Sequence, residues 1–230
     1  MWARRVWRFI DIKQKINLPL FYPLDPIDDR RSLFDVLVTA LLEEGMLTAY
    51  DDLDGTGDQF KKPMTQQGVK ALLESRESVQ TIDPDNGESL EIVVTNKITS
   101  GDVVGYKIKE DHIFDKQRGV MDVRIIGIAP VVVSRGEDGE VRGQRTLFWL
   151  YYPECRYIFA SARAFNRHND AEQRTFDEIF TKRFFHGQVV KVSNVYDRGI
   201  NEVQTGVDAL LSSQEWDRWL VEYEQDLWHY

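Results

Sequence analysis

From Val79 onward the chain reads as one strand after another, and this run limits the possible folds more than any other feature. Apolar and polar side chains alternate or cluster over Ser89 to Ile98, Tyr106 to Phe114, Val120 to Ser134 and again through Thr146 to Tyr152, the period of two that a pleated strand imposes. Pro84-Asp85-Asn86-Gly87 and Gly136-Glu137-Asp138-Gly139 punctuate the run, and these residue types build tight turns. Strands joined by short turns pair antiparallel, because a parallel partner needs a crossover of about a dozen residues or more. The run is expected to continue to about Phe159 as an antiparallel meander.

Helical signals bracket that run. Ser32 caps a helix to about Glu44, with Leu33, Val36, Leu37, Ala40 and Leu41 on one face and Gly45 as its stop, and Thr65 opens a shorter one to about Ser75. Downstream, Phe176, Ile179, Phe180 and Phe184 form one face of a helix from Asp170 to His186, and a strand follows from Gln188 to Val195. Thr205, with Asp208 three residues on, opens a terminal helix whose Val207, Leu210, Leu211, Trp219, Leu220, Tyr223 and Leu227 line one stripe expected to face the core. The fold class is therefore α+β, a mainly antiparallel sheet (meander) flanked by helices near both ends.

Before these elements, Val6 to Ile12 alternates as a strand, and Asn17 to Pro26 carries Pro19, Pro23 and Pro26 with Leu18, Leu20, Phe21, Tyr22 and Leu24 between them. Proline fixes φ and biases its predecessor toward extended geometry, so a stiff arm rather than a helix is expected. Residues 1–27 thus read as an extended N-terminal strand and proline-rich arm, and residues 28–230 as a single α+β domain. A chain of 230 residues buries ~70% of its unfolded surface and needs neither disulfides nor a metal to fold.

Charge and patterning remove several functions. A net charge of −9 opposes phosphate backbones, so no nucleic-acid partner is expected. Ile125 to Val133 and Leu147 to Tyr152, the longest nearly pure apolar stretches, fall short of the ~20 residues of a membrane helix, which argues against direct membrane insertion. The first eight residues are basic without an apolar run and do not read as a secretory leader. Cys155 is the one cysteine, so an internal disulfide or multi-cysteine zinc site is excluded, and a half-buried inert thiol is its plainer role.

Catalytic chemistry finds little support. Asp52-Leu53-Asp54-Gly55-Thr56-Gly57-Asp58 offers calcium-type oxygens, but Pro63 stands where an EF-hand needs a bidentate Glu, so a solvated turn is the better reading. His112 and Asp115 lie near a strand end with Lys116 and Arg118, and Cys155 with His168 and Asp170 would resemble a thiol, base and orienting group if the fold brought them together. No phosphate-binding loop, dinucleotide fingerprint or nucleophile elbow is present, and no histidines are spaced for zinc. No catalytic residue, cofactor or metal is assigned. A periplasmic enzyme or ligand-binding domain with a site near Cys155, His112 or His168 is kept as the alternative.

Aromatic residues carry more information. They interleave with charges in Phe148-Trp149-Leu150-Tyr151-Tyr152 and at Trp216, Trp219, Tyr223, Trp228 and Tyr230, and exposed Trp, Tyr and Arg dominate protein interfaces. The plainer role of these rings is to fill the core. The expected interface residues are Leu18, Leu20, Phe21, Tyr22 and Leu24 of the arm, Trp149 and Tyr151, and Arg167 and Arg198, which stand in polar turns where Asn and Asp also bond their own backbone.

Long blocks of the chain resemble the GldN/PorN family of the type IX secretion and gliding motility apparatus. They are Val6-Trp7-Arg8-Phe9-Ile10-Asp11, Lys15-Ile16-Asn17-Leu18-Pro19-Leu20-Phe21-Tyr22-Pro23, Phe114-Asp115-Lys116-Gln117-Arg118, Met121-Asp122-Val123-Arg124-Ile125-Ile126-Gly127-Ile128, Phe165-Asn166-Arg167, Thr175-Phe176-Asp177-Glu178-Ile179-Phe180 and Ser193-Asn194-Val195-Tyr196-Asp197-Arg198. The resemblance implies a non-catalytic periplasmic protein, peripherally associated with the outer membrane, its leader no longer on this chain. It further implies a ring formed by self-association with an outer-membrane lipoprotein of the K type, and contact with the periplasmic domain of the M component.

Overall fold

The computed structural model describes residues 2–82, 89–115, 119–135, 140–166 and 173–226. The chain opens with β1 (Trp2–Asp11), the one-turn helix α1 (Leu18–Phe21), α2 (Leu33–Leu42), the short strand β2 (Ala49–Asp51) and α3 (Gln66–Leu73). Then come β3 (Glu74–Ile82), β4 (Ser89–Lys97), β5 (Val103–Asp115), β6 (Val120–Arg135), β7 (Val141–Thr146) and β8 (Phe148–Tyr151). The last third holds α4 (Tyr152–Ser161), α5 (Phe176–Thr181), β9 (Gln188–Val192), α6 (Ile200–Val203) and α7 (Val207–Asp226).

Seven strands form one antiparallel sheet in the order β2-β8-β6-β5-β1-β9, with β7 alongside β6, and helices flank it, so the architecture is α+β. β1 lies inside the sheet, pairing Val6 with Glu110 of β5 on one side and with Val192 of β9 on the other. β3 and β4 pair with each other as a separate two-stranded sheet. Both turns read from the sequence, Pro84 to Gly87 and Gly136 to Gly139, lie outside the described residues.

Strand alternation divides the side chains of the main sheet between two faces. One face presents Ile10, Ile108, Ile128, Phe148 and Leu150 to Leu33, Phe34, Leu37 and Leu41 of α2 and to the rings of Tyr152, Phe159, Phe176 and Phe180, all buried. Each such large side chain contributes ~1.5–3 kcal/mol by leaving water. Ser32 caps α2 as expected: its Oγ accepts the Asp35 N–H at 3.1 Å and lies 2.7 Å from Ser100 Oγ in the buried layer.

Four local expectations are corrected. The proline arm contains α1, because Pro19 falls in a first turn, where its missing N–H costs nothing and its φ suits the helix. The strands stop at Tyr151 rather than Phe159: Pro153, again in a first turn, starts α4, which turns Tyr152, Cys155 and Phe159 inward. Instead of running from Asp170 to His186, the following helix is only α5. Thr175 and Glu178 form its capping box, and Arg183 at φ 54° turns the chain so that Phe185 is buried and Phe184 is not. α7 buries Ala209, Ser213 and Leu220, leaving Val207, Leu210 and Leu211 exposed; Leu227 lies outside the described residues.

Candidate interaction surfaces and the buried charge cluster

A polar cluster ties four parts of the chain together on the helix-covered face. Glu110 of β5 is wholly buried and meets Arg8 Nε at 3.1 Å, Arg183 Nη1 at 2.9 Å and His112 Nε2 at 3.2 Å. Arg8 also donates from Nη1 to Gly187 O at 2.9 Å and to Asp217 Oδ1 of α7 at 2.6 Å. Burial alone would raise the Glu110 carboxyl, but the hydrogen bond from His112 and the charges of Arg183 and Arg8 outweigh it and hold the group at about 2. Glu110 therefore stays ionised at ordinary pH and has no proton to offer as a general acid. The arrangement is a clamp between β1, β5, the α5–β9 connection and α7.

The opposite face of the sheet carries a second ladder. Trp7 lies between Lys109 and Lys191, with the ammonium groups 5.5 and 4.7 Å from its ring, and its Nε1 donates to Asp58 Oδ2 at 3.0 Å. Lys109 Nζ donates to Asp58 O at 2.6 Å and lies 3.2 Å from Asp58 Oδ2. Phe60 closes this corner: it lies edge-on to Tyr50 and Tyr151, and a Cβ on Gly127 would come within 2.6 Å of its ring.

The acidic 52–58 loop is thus bound to side chains and backbone of its own chain. Asp58 holds Trp7 and Lys109, Asp54 pairs with Lys62, and Asp52 accepts the Gly57 N–H at 3.0 Å. Among the described residues no group of His, Cys, Asp and Glu is placed to hold a metal. A groove of about 490 Å³ runs beside this loop, lined by Trp7, Phe9, Lys107, Gln144, Gln188 and Glu202 among others. Lys107 in it bonds Thr146 Oγ1 at 3.0 Å.

Among the described residues of the alternative enzyme site, Cys155 and His112 are both buried. Cys155 is buried, its Sγ 3.5 Å from Tyr151 O, and burial pushes its thiol up, away from the thiolate a nucleophile needs. His112 is buried against Glu110. His168 and Asp170 lie outside the described residues.

The expected interface residues fall in separate neighbourhoods. In the arm, Leu20 is buried, Leu18 and Phe21 are half-buried, and Tyr22 and Leu24 are exposed, with Tyr22 packed edge-on to Phe165 at 6.4 Å. Trp149 is buried beside Trp7 and Ala129, so it and Leu20 belong to the interior rather than to a surface, because both point inward from the elements that carry them. Tyr151 is exposed next to Phe60, and Arg198 stacks on Tyr196 at 5.4 Å. The Arg198 turn also follows the plainer expectation, since Asn194 Oδ1 accepts the N–H groups of Tyr196 and Arg198 at 3.1 Å each. Arg167 lies outside the described residues.

Sequence reasoning missed the Glu110 clamp and the Trp7–Asp58–Lys109 ladder. A partial signal was present: Arg8, Lys109, Glu110 and His112 stand between apolar residues of strands that pair on both sides, and such groups are buried only with partners.

A family model described as "Gliding motility associated protein GldN" matches residues 1–229 of the chain. No curated protein matches it. The chain belongs to the GldN family.

Proposed function

We propose that this GldN-family chain is a non-catalytic, periplasmic structural subunit of the type IX secretion and gliding motility machinery. It builds a ring with an outer-membrane lipoprotein of the K type and contacts the periplasmic part of the M component. The observation that carries this reading is the family match over residues 1–229. It is supported by the partners of the buried titratable side chains: Glu110 pairs with Arg8, Lys109 pairs with Asp58, and Cys155 is buried in the core. What faces solvent instead includes Tyr22, Leu24, Ile27, Tyr151 and Tyr157, residue types suited to docking. Among the described residues no helix is long and apolar enough to cross a membrane, which fits a peripheral role.

The test is isolation of the tagged chain from its own cells after mild solubilisation. The lipoprotein and the M component should accompany it as a large assembly, and cells lacking the chain should lose secretion. A chain recovered free of both, from cells that secrete normally without it, would contradict the proposal.

A further inference from the structure

One strand of the main sheet is paired on both sides over only part of its length. β7 and β8 run along β6 from residue 135 back to 127, and they leave it where Pro153, in a first turn, starts α4. Over residues 120–126, among the described residues, β6 pairs only with β5, and its other side presents a row of main-chain N–H and C=O groups with no strand beside it. Other edges of the sheet are covered, short or charged. The outer side of β2 is bonded by Asp51 N–H to Lys62 O at 3.0 Å and by Met64 N–H to Ala49 O at 2.7 Å. β9 is five residues long, and β7 carries Arg142, Arg145 and Gly143 at φ 155° beside a register shift. Residues 120–125 of β6 contain neither proline nor lysine, run regularly up to the bulge at Ile126, and hold one acid and one base. Little in them discourages a further strand.

The sequence of this edge is matched to itself. Met121, Val123 and Ile125 are half-buried and share the helix-covered face with Phe114, His112 and Glu110, their partners on β5. Asp122 and Arg124 lie on the opposite face, their side chains 53 and 66% exposed, with Arg124 Nε 2.8 Å from Asp122 Oδ2. A two-fold axis normal to the sheet sets β6 antiparallel to its own copy, and because paired residues must share a face, the axis passes through a residue and not between two. Centred on Asp122 or on Arg124, the pairing sets two like charges face to face. Centred on Val123, it sets Asp122 opposite Arg124 of the second copy, Arg124 opposite its Asp122, Met121 opposite its Ile125 and Val123 opposite itself.

We propose that the open side of β6 pairs with β6 of a second copy of this chain in the register centred on Val123, joining two main sheets into one antiparallel sheet across a two-fold axis. Main-chain chemistry selects the kind of occupant: a row of alternating donors and acceptors is matched by an extended strand, not by a helix or a lipid surface. Side-chain order then selects which strand. The occupant must oppose acid to base on one face and apolar to apolar on the other, and the strand's own copy does both. The proposal goes beyond the assembly reading and does not rest on it, since a ring closes through two different patches whereas this contact uses one patch twice. Residues 121–125 make a short seam, so the contact belongs to the weak class of interfaces.

The experiment is sedimentation equilibrium of the purified full chain at on the order of 100 μM, a concentration suited to a weak pair. The parent should approach twice the mass of one chain. Asp122→Arg and Arg124→Asp each set like charges across the axis, and each alone should weaken association about tenfold with the melting temperature unchanged. An equimolar mixture of the two variants should associate again, because every charge then faces its opposite on the other chain; the Asp122–Arg124 bond within one chain is lost in both and does not account for that recovery. Val123→Cys should give a disulfide-linked pair about tenfold faster than Val120→Cys, since the two positions 123 are direct neighbours with Cβ atoms about 4.5–5.5 Å apart and the two positions 120 are about 20 Å apart. The parent, its Cys155 buried, should stay unlinked. A parent that is monomeric at this concentration, an association indifferent to both charge reversals, a mixture that stays apart, or linkage at 123 no faster than at 120 would overturn the proposal. Co-isolation of the secretion components is scored separately. If they accompany the chain and 123 does not link, this contact falls and the function stands; if 123 links and they do not accompany the chain, the function falls and the contact stands.

Discussion

Arg8 of the second-innermost strand reaches Asp217 of the terminal helix at 2.6 Å while its Nε contacts the buried Glu110 at 3.1 Å. One guanidinium thus joins a carboxylate at the sheet to a carboxylate on α7, and its rigid fork of donors is what allows both contacts. Lysine at position 8 would supply the charge without the fork, so Arg8→Lys should loosen α7. Amide hydrogen exchange along residues 207–226 should rise in this variant, and unchanged protection would refute the clamp.

Acid should unfold the protein partly through Glu110. Its folded value of about 2 lies below the 4.5 of an ordinary glutamate, so the stabilisation is fully present above about pH 4.5 and is lost as pH falls through about 2. The shift corresponds to about 3 kcal/mol. Urea melts of Glu110→Gln should show that deficit near neutral pH and a gap to the parent that narrows toward about pH 2; parallel curves at all pH values would contradict the assignment.

Leu210→Ala and Leu211→Ala should each change stability by less than ~0.5 kcal/mol, as exposed substitutions do. Leu220→Ala removes a buried side chain of the same helix and should cost ~2–5 kcal/mol. Equal losses at the three positions, measured by urea denaturation, would mean that Leu210 and Leu211 do not face solvent.

Gly127→Ala should destabilise by ~1–3 kcal/mol, because its new methyl would press on Phe60. Phe60→Ala removes the obstacle at its own cost. The double variant should therefore be more stable than the sum of the two single losses, and strict additivity would show that the two residues do not touch.

The thiol of Cys155 should resist a disulfide reagent at about pH 8 in the folded chain, since burial raises its pKa and closes access. In urea the same cysteine should react at once. Prompt labelling of the native protein would show that the α4 layer opens readily.

Strand periodicity and caps were the legible part of this fold. The long alternations of β5 and β6, the Ser32 and Thr65 caps and the antiparallel pairing all follow from local spacing. Helix starts hidden behind proline were not, because Pro19 and Pro153 break one kind of element and begin another according to position in the turn. The buried face of α7 was also illegible: Leu210 and Leu211 outrank Ala209 and Ser213 in hydrophobicity, yet the packing of Trp216, Trp219 and Leu220 on Val6, Val189 and Val192 turned the smaller pair inward. Of the surface residues, Tyr22, Leu24, Tyr151 and Arg198 are outward, whereas Trp149 and Leu20 show that aromatic or apolar character alone does not tell an interface from a core.

The position of β1 between β5 and β9 has a consequence in time. Trp7 meets Lys109 on one side and Lys191 on the other, partners that lie roughly 100 and roughly 180 residues further along, so the pairings that close the sheet are among the most distant the chain makes, and such topologies fold slowly. Until β9 docks, Val6, Trp7 and Ile10 lie on an unpaired edge, so one border of β1 is sealed only by the longest chain closure within the main sheet.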